Sequence, residues 1–204
     1  MGELEEVSVI DRTRIPLDLG FEEPELETTT EALHPNFTMQ QQCHNYWCWA
    51  AVASSVSGFY DEASPFTQCL IANLVLDRQD CCDFACGVPN LQFDVPHTLG
   101  SPLNQVCCLG KLALDHRATR MEVLQEINAG RPLCVRTVWS RGAGGGGGGA
   151  HFLAIVGYLP DTDSLILEDP FYGPTPEINY DRFCTLYQDA RGVWTDSYFT
   201  KAPD

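Results

Sequence analysis

Residues 41–60 read QQCHNYWCWAAVASSVSGFY, and the placing of Cys48 between two tryptophans, directly ahead of small and apolar residues, decides how the rest of the chain is read. A cysteine that only fills a core or forms half of a disulfide tolerates almost any neighbours. A thiol at the mouth of a helix has a third use. From Cys48 onward, Val52, Val56, Phe59 and Tyr60 recur at helical spacing, while Ala50, Ala51, Ala53, Ser54 and Ser55 are small enough for close packing. This predicts a buried helix that starts at the thiol and ends near residues 58–61.

Working outward, TQCLIANLVL after Pro65 reads as a second helix, and NLQFDVPHTLG as a segment with room for a short one, limited by Pro96. TRMEVLQEINAG carries the clearest helix signals. Thr119 and Glu122 form a capping box, Met121, Leu124, Gln125 and Ile127 fill the turns, Gly130 suits the C-terminal end, and Pro132 prevents continuation. Beyond it the pattern changes to strands: PLCVRTVW, HFLAIVGYL, SLILED and GVWTDSYFT, with INYDRFCTLY as a short helix before the last. Between the first two strands lies SRGAGGGGGGA, which lacks the phosphate-cradling G-x-x-x-x-G-K-[ST] pattern and reads as a flexible hairpin loop beside His151.

The chain has 204 residues, 44% of them hydrophobic, as in a globular protein with one sizeable core or two small lobes. No run approaches the length of a membrane span, and the start has no secretory pattern. These features predict no membrane partner and a protein that is cytoplasmic or exported by a signal-independent route. The formal net charge is −16, and residues 1–35 hold ten acidic residues against two arginines. A field of that sign repels phosphate backbones, which argues against nucleic acid. Residues 1–37 read as an acidic, poorly ordered leader, and residues 38–204 as the folded domain. Of the ten cysteines, the CCDFAC and VCC stretches lack two separated C-x2-4-C pairs, so local disulfides or free thiols are expected for Cys69, Cys81, Cys82, Cys86, Cys107 and Cys108, and neither metal nor cofactor is.

A thiol is a nucleophile as thiolate, a form favoured by a helix N-terminus and by a nearby imidazolium. Five histidines could supply the ring. His34 lies in the acidic leader, His97 and His116 in irregular polar surroundings, and His44 four residues from the thiol. His151 starts a strongly apolar strand, where a polar ring has no packing reason to be. An imidazole acting as a base needs its second nitrogen held by an acceptor. A hairpin turning at PDTD brings Glu168 and Asp169 back beside His151, with Asp169 about as far from the turn. An Asp before Pro is otherwise a turn former. Acyl transfer also needs donors for an oxyanion, and Gln42, six residues ahead of Cys48, is the candidate side chain, with Gln41 its rival.

Gln42, then five residues, then Cys48-Trp49-Ala50 opening a helix, then His151 at a strand start and an acidic residue after it, resembles the papain-like cysteine peptidases in order and spacing. NYWCWAAVASSV, HFLAIVGY and EDPFYG are most similar to a bacterial branch in which Asp before Pro replaces the plant enzymes' Asn. The resemblance spans about residues 40–200. It implies an α+β fold with a helical N-terminal lobe, an antiparallel β-barrel-like C-terminal lobe and the active site between them. It also implies cleavage of peptide or protein substrates, with Cys48 the nucleophile, His151 the base, Asp169 the orienter of the ring, Gln42 the oxyanion donor and Trp49 a packing residue. The plant motif CGSCW is here HNYWCW, so the resemblance gives Cys43 no assured partner. Two other functions use the same residues: acyl transfer to an amine, as in transglutaminase-like enzymes, and a catalytically silent binding module.

Overall fold

A computed structural model describes residues 32, 33, 36–139, 149–188 and 191–204. In chain order its elements are β1 (Ala32–Leu33), α1 (Cys48–Tyr60), α2 (Gln68–Leu76), α3 (Gly100–Gln105), β2 (Leu109–Ala113), α4 (Arg120–Asn128), β3 (Leu133–Trp139), β4 (Ala150–Leu159), β5 (Ser164–Glu168), β6 (Thr175–Asn179), α5 (Tyr180–Thr185) and β7 (Gly192–Thr200). The strands form one antiparallel sheet in the order β2-β7-β3-β4-β5-β6, with β1 added at the far end of β4, where Ala32 and Leu33 face Tyr158 and Gly157.

The sheet is open, which corrects the expected barrel-like lobe. Strand β2 pairs with β7 and β6 with β5, and these two edges are not joined to each other. The reason lies in how the apolar side chains are shared. Along β4, Phe152, Ala154 and Val156 pack with α1 and the other N-terminal helices, whereas Leu153 and Ile155 pack with Val123 and Ile127 of α4 and Phe183 of α5. A strand buried on both faces reads as a continuous apolar run, as HFLAIVGY does. Such a sheet is a layer between two helical layers and has no interior of its own to close around.

Helix α1 is the centre of the N-terminal layer, with Cys48 through Ser57 all buried. Its serines are tolerated there because their hydroxyls are satisfied: Ser54 donates to the Phe66 carbonyl at 2.8 Å, and Ser55 to the Ala51 carbonyl at 2.7 Å while accepting from the Gln40 N–H. Helix α2 matches its predicted span. The segment 90–99 contains no helix; α3 begins at Gly100, beyond Pro96. In α4 the capping box of Thr119 and Glu122 forms as read, and Gly130 adopts φ +75° just past the end. Its buried face is Val123 and Ile127 with Leu124 beside them, while Met121 is half exposed. The edge strands β2 and β6 carry mixed, largely exposed residues without the alternation that marks a strand.

The expected leader falls mostly on residues outside the described ones; of its described part, β1 pairs with β4, and Phe37 is buried against Phe59. The expected glycine-rich loop lies outside the described residues. Two disulfides join Cys43 to Cys86 and Cys69 to Cys82, so Cys43 does have a partner. Cys48, Cys81, Cys107, Cys108, Cys134 and Cys184 are free thiols.

Replacing Thr119 by Ala removes the cap of α4, on the sheet face opposite α1. It should cost about 1 kcal/mol, read as a lower midpoint in chemical denaturation with an unchanged slope.

Candidate active site

Between the N-terminal helices and the sheet lies a cleft of about 830 Å³, lined among others by Gln42, Tyr46, Cys48, Trp49, Arg136, His151, Phe152 and Tyr172. Cys48 is the first residue of α1 and is a free, buried thiol. As the first helical residue it has no helical carbonyl to receive its own N–H. The first turn contains no acidic side chain to offset the positive end of the helix dipole.

The tryptophans on either side answer why this cysteine has such neighbours. Both indoles are fully buried, and each donates to a carbonyl of the same facing segment, Trp47 to Phe93 at 3.0 Å and Trp49 to Val95 at 3.1 Å. The Asp94 carboxylate between those carbonyls accepts the backbone N–H groups of Asn45 and Tyr46. The Cys43–Cys86 disulfide and a Gly87 N–H to Cys43 carbonyl bond of 2.8 Å hold the start of the same loop. The thiol is thus presented by a segment fastened on both sides. His44 belongs to this packing, edge-on to Trp47 and Phe93. Burial lowers its pKa, against the opposing pull of Asp94.

His151 lies at the start of β4, opposite Thr137 of β3. Its Nε2 is 2.9 Å from both carboxylate oxygens of Asp169, and the Cys48 thiol lines the same cleft, near enough to act on the ring's pKa. The structure therefore brings Cys48, His151 and Asp169 together. Strand β5 ends with Glu168 opposite Ala154, so Asp169 reaches the ring by turning out of the strand. Its Oδ1 accepts the N–H groups of Phe171 and Tyr172 at 2.7 and 2.8 Å. The turn-forming and ring-facing readings of this Asp hold at once. Burial alone would lower the His151 pKa, but hydrogen bonds and charge from Asp169 and Cys48 outweigh it and push it up to about 9.

Gln42 lines the same cleft, and its backbone N–H donates to the Pro170 carbonyl at 2.9 Å, which ties the thiol-bearing segment to the Asp169 turn. Its Nε2 donates to the carbonyls of His44 and Asn45 at 2.9 and 2.7 Å, and its Oε1 is buried without a partner. The neighbouring Gln41 uses its carbonyl to receive Gln68 Nε2 and does not line this cleft. Of the other histidines, His97 lines the cleft beside Trp49, and His116 is paired with Glu122 on the α4 side.

Three aromatic residues around the ring were not read from the sequence. The Tyr187 hydroxyl donates to Asp169 Oδ2 at 2.8 Å. Trp139, at the end of β3, is stacked with both His151 and Tyr187, with interplanar angles of 21° and 13°. Tyr172 meets His151 edge-on. Gly192 lies flush under Trp139, and a Cβ there would come within 2.7 Å of the indole Cε3 and closer still to Cζ3. Among the described residues, no group of three or more His, Cys, Asp or Glu side chains could hold a metal ion, and no helix is long and apolar enough to cross a membrane.

A helical layer and an antiparallel sheet meeting at a cleft that holds a helix-borne thiol and a strand-borne imidazole define the papain-like class of cysteine peptidase. Residues 31–188 match the family described as papain-like cysteine protease AvrRpt2, and the chain belongs to that family. No curated protein matches the chain.

Because the folded His151 pKa stands above its ordinary 6.5, the stability this ring contributes is fully present below about pH 6.5 and is lost as pH rises through about 9. The melting temperature should therefore fall across that window, and a His151→Gln variant should show a shallower fall in the same scan.

Proposed function

We propose that the chain cleaves peptide bonds in protein substrates through a thioester acyl-enzyme on Cys48. The observation that carries this reading is the free thiol at the start of α1, lining one cleft with a ring whose Nε2 sits on a buried carboxylate. Cys48 Sγ attacks the scissile carbonyl carbon, and its proton resides on His151. The resulting imidazolium gives that proton to the leaving amine as the C–N bond breaks, and the thioester remains. A water then enters. His151 takes one of its protons, the oxygen attacks the thioester, and the carboxylic product leaves as the thiol is restored.

Asp169 would hold the Nε2–H and so keep the other ring nitrogen toward sulfur, and it would favour the imidazolium that forms in each half-reaction. The Cys48 N–H, free of any helical carbonyl, would serve as one oxyanion donor. Gln42 would serve as the other. For this its Nε2 must release one of its two carbonyls, and the bond to Asn45, on the solvent side, is the more exposed of the two. Acyl transfer to an amine would proceed through the same thioester and differs only in what resolves it.

Cys48→Ala should abolish both turnover and labelling by thiol-directed peptide electrophiles, and residual cleavage at parental rates would contradict the assignment. Gln42→Ala should lower kcat about 10²-fold with the labelling site intact. Product analysis by mass spectrometry with added amine distinguishes the outcomes: free carboxyl termini support hydrolysis, amide adducts support transfer.

A further inference from the structure

The proposed triad leaves one buried ionisable side chain at its centre without a role. Tyr187 follows α5, in a stub that pairs with Gly192 at the start of β7, and it is 1% exposed. Its hydroxyl donates to Asp169 Oδ2, while Oδ1 is taken by the Phe171 and Tyr172 N–H groups; His151 Nε2 lies between the two oxygens. A tyrosine at this depth needs a partner for its hydroxyl, and many carbonyls could have supplied one. Tyr180, in the same layer, is satisfied in that way by the Ala118 carbonyl at 2.7 Å. Tyr187 instead spends its proton on the one carboxylate that faces the imidazole. Its ring also lies nearly parallel to that of Trp139, which is in turn stacked with His151. One residue therefore reaches both members of the His–Asp pair, the carboxylate directly and the ring through an indole.

From this geometry we infer that Tyr187 is a positioning residue of the peptidase, which fixes the Asp169 carboxylate and sets how firmly His151 holds its proton. A neutral donor on Oδ2 draws negative charge away from the oxygens that face Nε2 and tempers the pull of the carboxylate on the imidazolium. Without it the same carboxylate, still held by two backbone N–H groups, is a stronger acceptor for the ring. The imidazolium then keeps its proton longer and yields it less readily to a leaving amine. The hydroxyl does not approach the substrate, since Tyr187 is not among the residues lining the cleft. Its effect belongs in kcat and in the titration of the ring, with KM untouched.

The ionisable groups that face this cluster are Cys48 and Asp169 toward His151, and Tyr172 and Tyr187 toward Asp169. Burial and the charge of Asp169 keep the Tyr187 hydroxyl protonated well beyond its ordinary range. It is a donor throughout the working range of the ring. The role assigned here rests on the catalytic reading of Cys48, His151 and Asp169 given above.

The test is Tyr187→Phe in the full chain, which keeps the ring on Trp139 and removes only the hydroxyl, with Tyr180→Phe as the companion that loses a buried tyrosine hydrogen bond elsewhere in the layer. The His151 titration midpoint, followed by NMR of the ring nitrogens, should rise by about half a pH unit or more in Tyr187→Phe and stay at the parental value in Tyr180→Phe. Turnover of labelled casein by Tyr187→Phe should show kcat lower by about tenfold with KM within about twofold of the parent. A midpoint unchanged in Tyr187→Phe, with only the melting temperature lowered as in Tyr180→Phe, would overturn the inference and leave Tyr187 a packing residue. Failure of the underlying catalytic reading is a different result: turnover surviving in Cys48→Ala.

Discussion

A carboxylate with no solvent-exposed side-chain surface is the constraint around which the site is built. Asp169 lies beneath the cleft, and an unpaired charge at that depth would cost several kcal/mol. Donors must therefore converge on it, and four do: the His151 ring, the Phe171 and Tyr172 N–H groups, and the Tyr187 hydroxyl. They come from three structural sources, namely the start of β4, the loop that leaves β5 and the stub that follows α5. Satisfying one buried group fixes the mutual placement of all three. The orientation of the imidazole is a by-product of that requirement.

The other half of the site is fastened by a separate set of bonds. Trp47 and Trp49 spend their indole N–H groups on consecutive parts of the 93–95 segment, Asp94 returns two bonds to the loop, and a disulfide closes its start. The two halves meet at the bond from Gln42 N–H to the Pro170 carbonyl and at the contact of Cys48 with His151. The open sheet suits this arrangement. With helices on both faces, its start-of-strand edge is free to form one wall of a cleft while α1 forms the other. Among the described residues, the two buried side-chain atoms without partners, Gln42 Oε1 and His44 Nδ1, both belong to the thiol-bearing segment. Native folds leave such groups mainly where function competes with packing.

Much of this was legible one residue at a time. The helix at Cys48 follows from small and apolar spacing, and the start of α4 follows from Thr119 and Glu122 because a capping box is a bond between residues three apart. The strands β3, β4, β5 and β7 follow from apolar runs bounded by turn residues. Strands β2 and β6 were not visible, since edge strands with mixed exposed residues leave no periodic signal. Of the residues read as filling the turns of α4, Met121 and Gln125 are exposed and Val123 is buried instead, because helical spacing gives a stripe without saying which neighbour it meets. The barrel-like closure expected from the resemblance failed because nothing local in a strand says whether its far edge finds a partner.

For the site, chain order alone was enough to nominate Cys48, His151, Asp169 and Gln42, since each is marked by its immediate context: a helix start, a strand start, a turn, a fixed offset from the thiol. Tyr187, Trp139 and Tyr172 had no such mark. Their contacts with the ring and its carboxylate depend on strand order, on the register of β3 against β4, and on a glycine at 192 that lets an indole lie flat against the backbone. Periodicity, caps and turns are written in neighbouring residues and are set by the chain itself. Which distant side chains complete a buried charge is decided only when the layers pack.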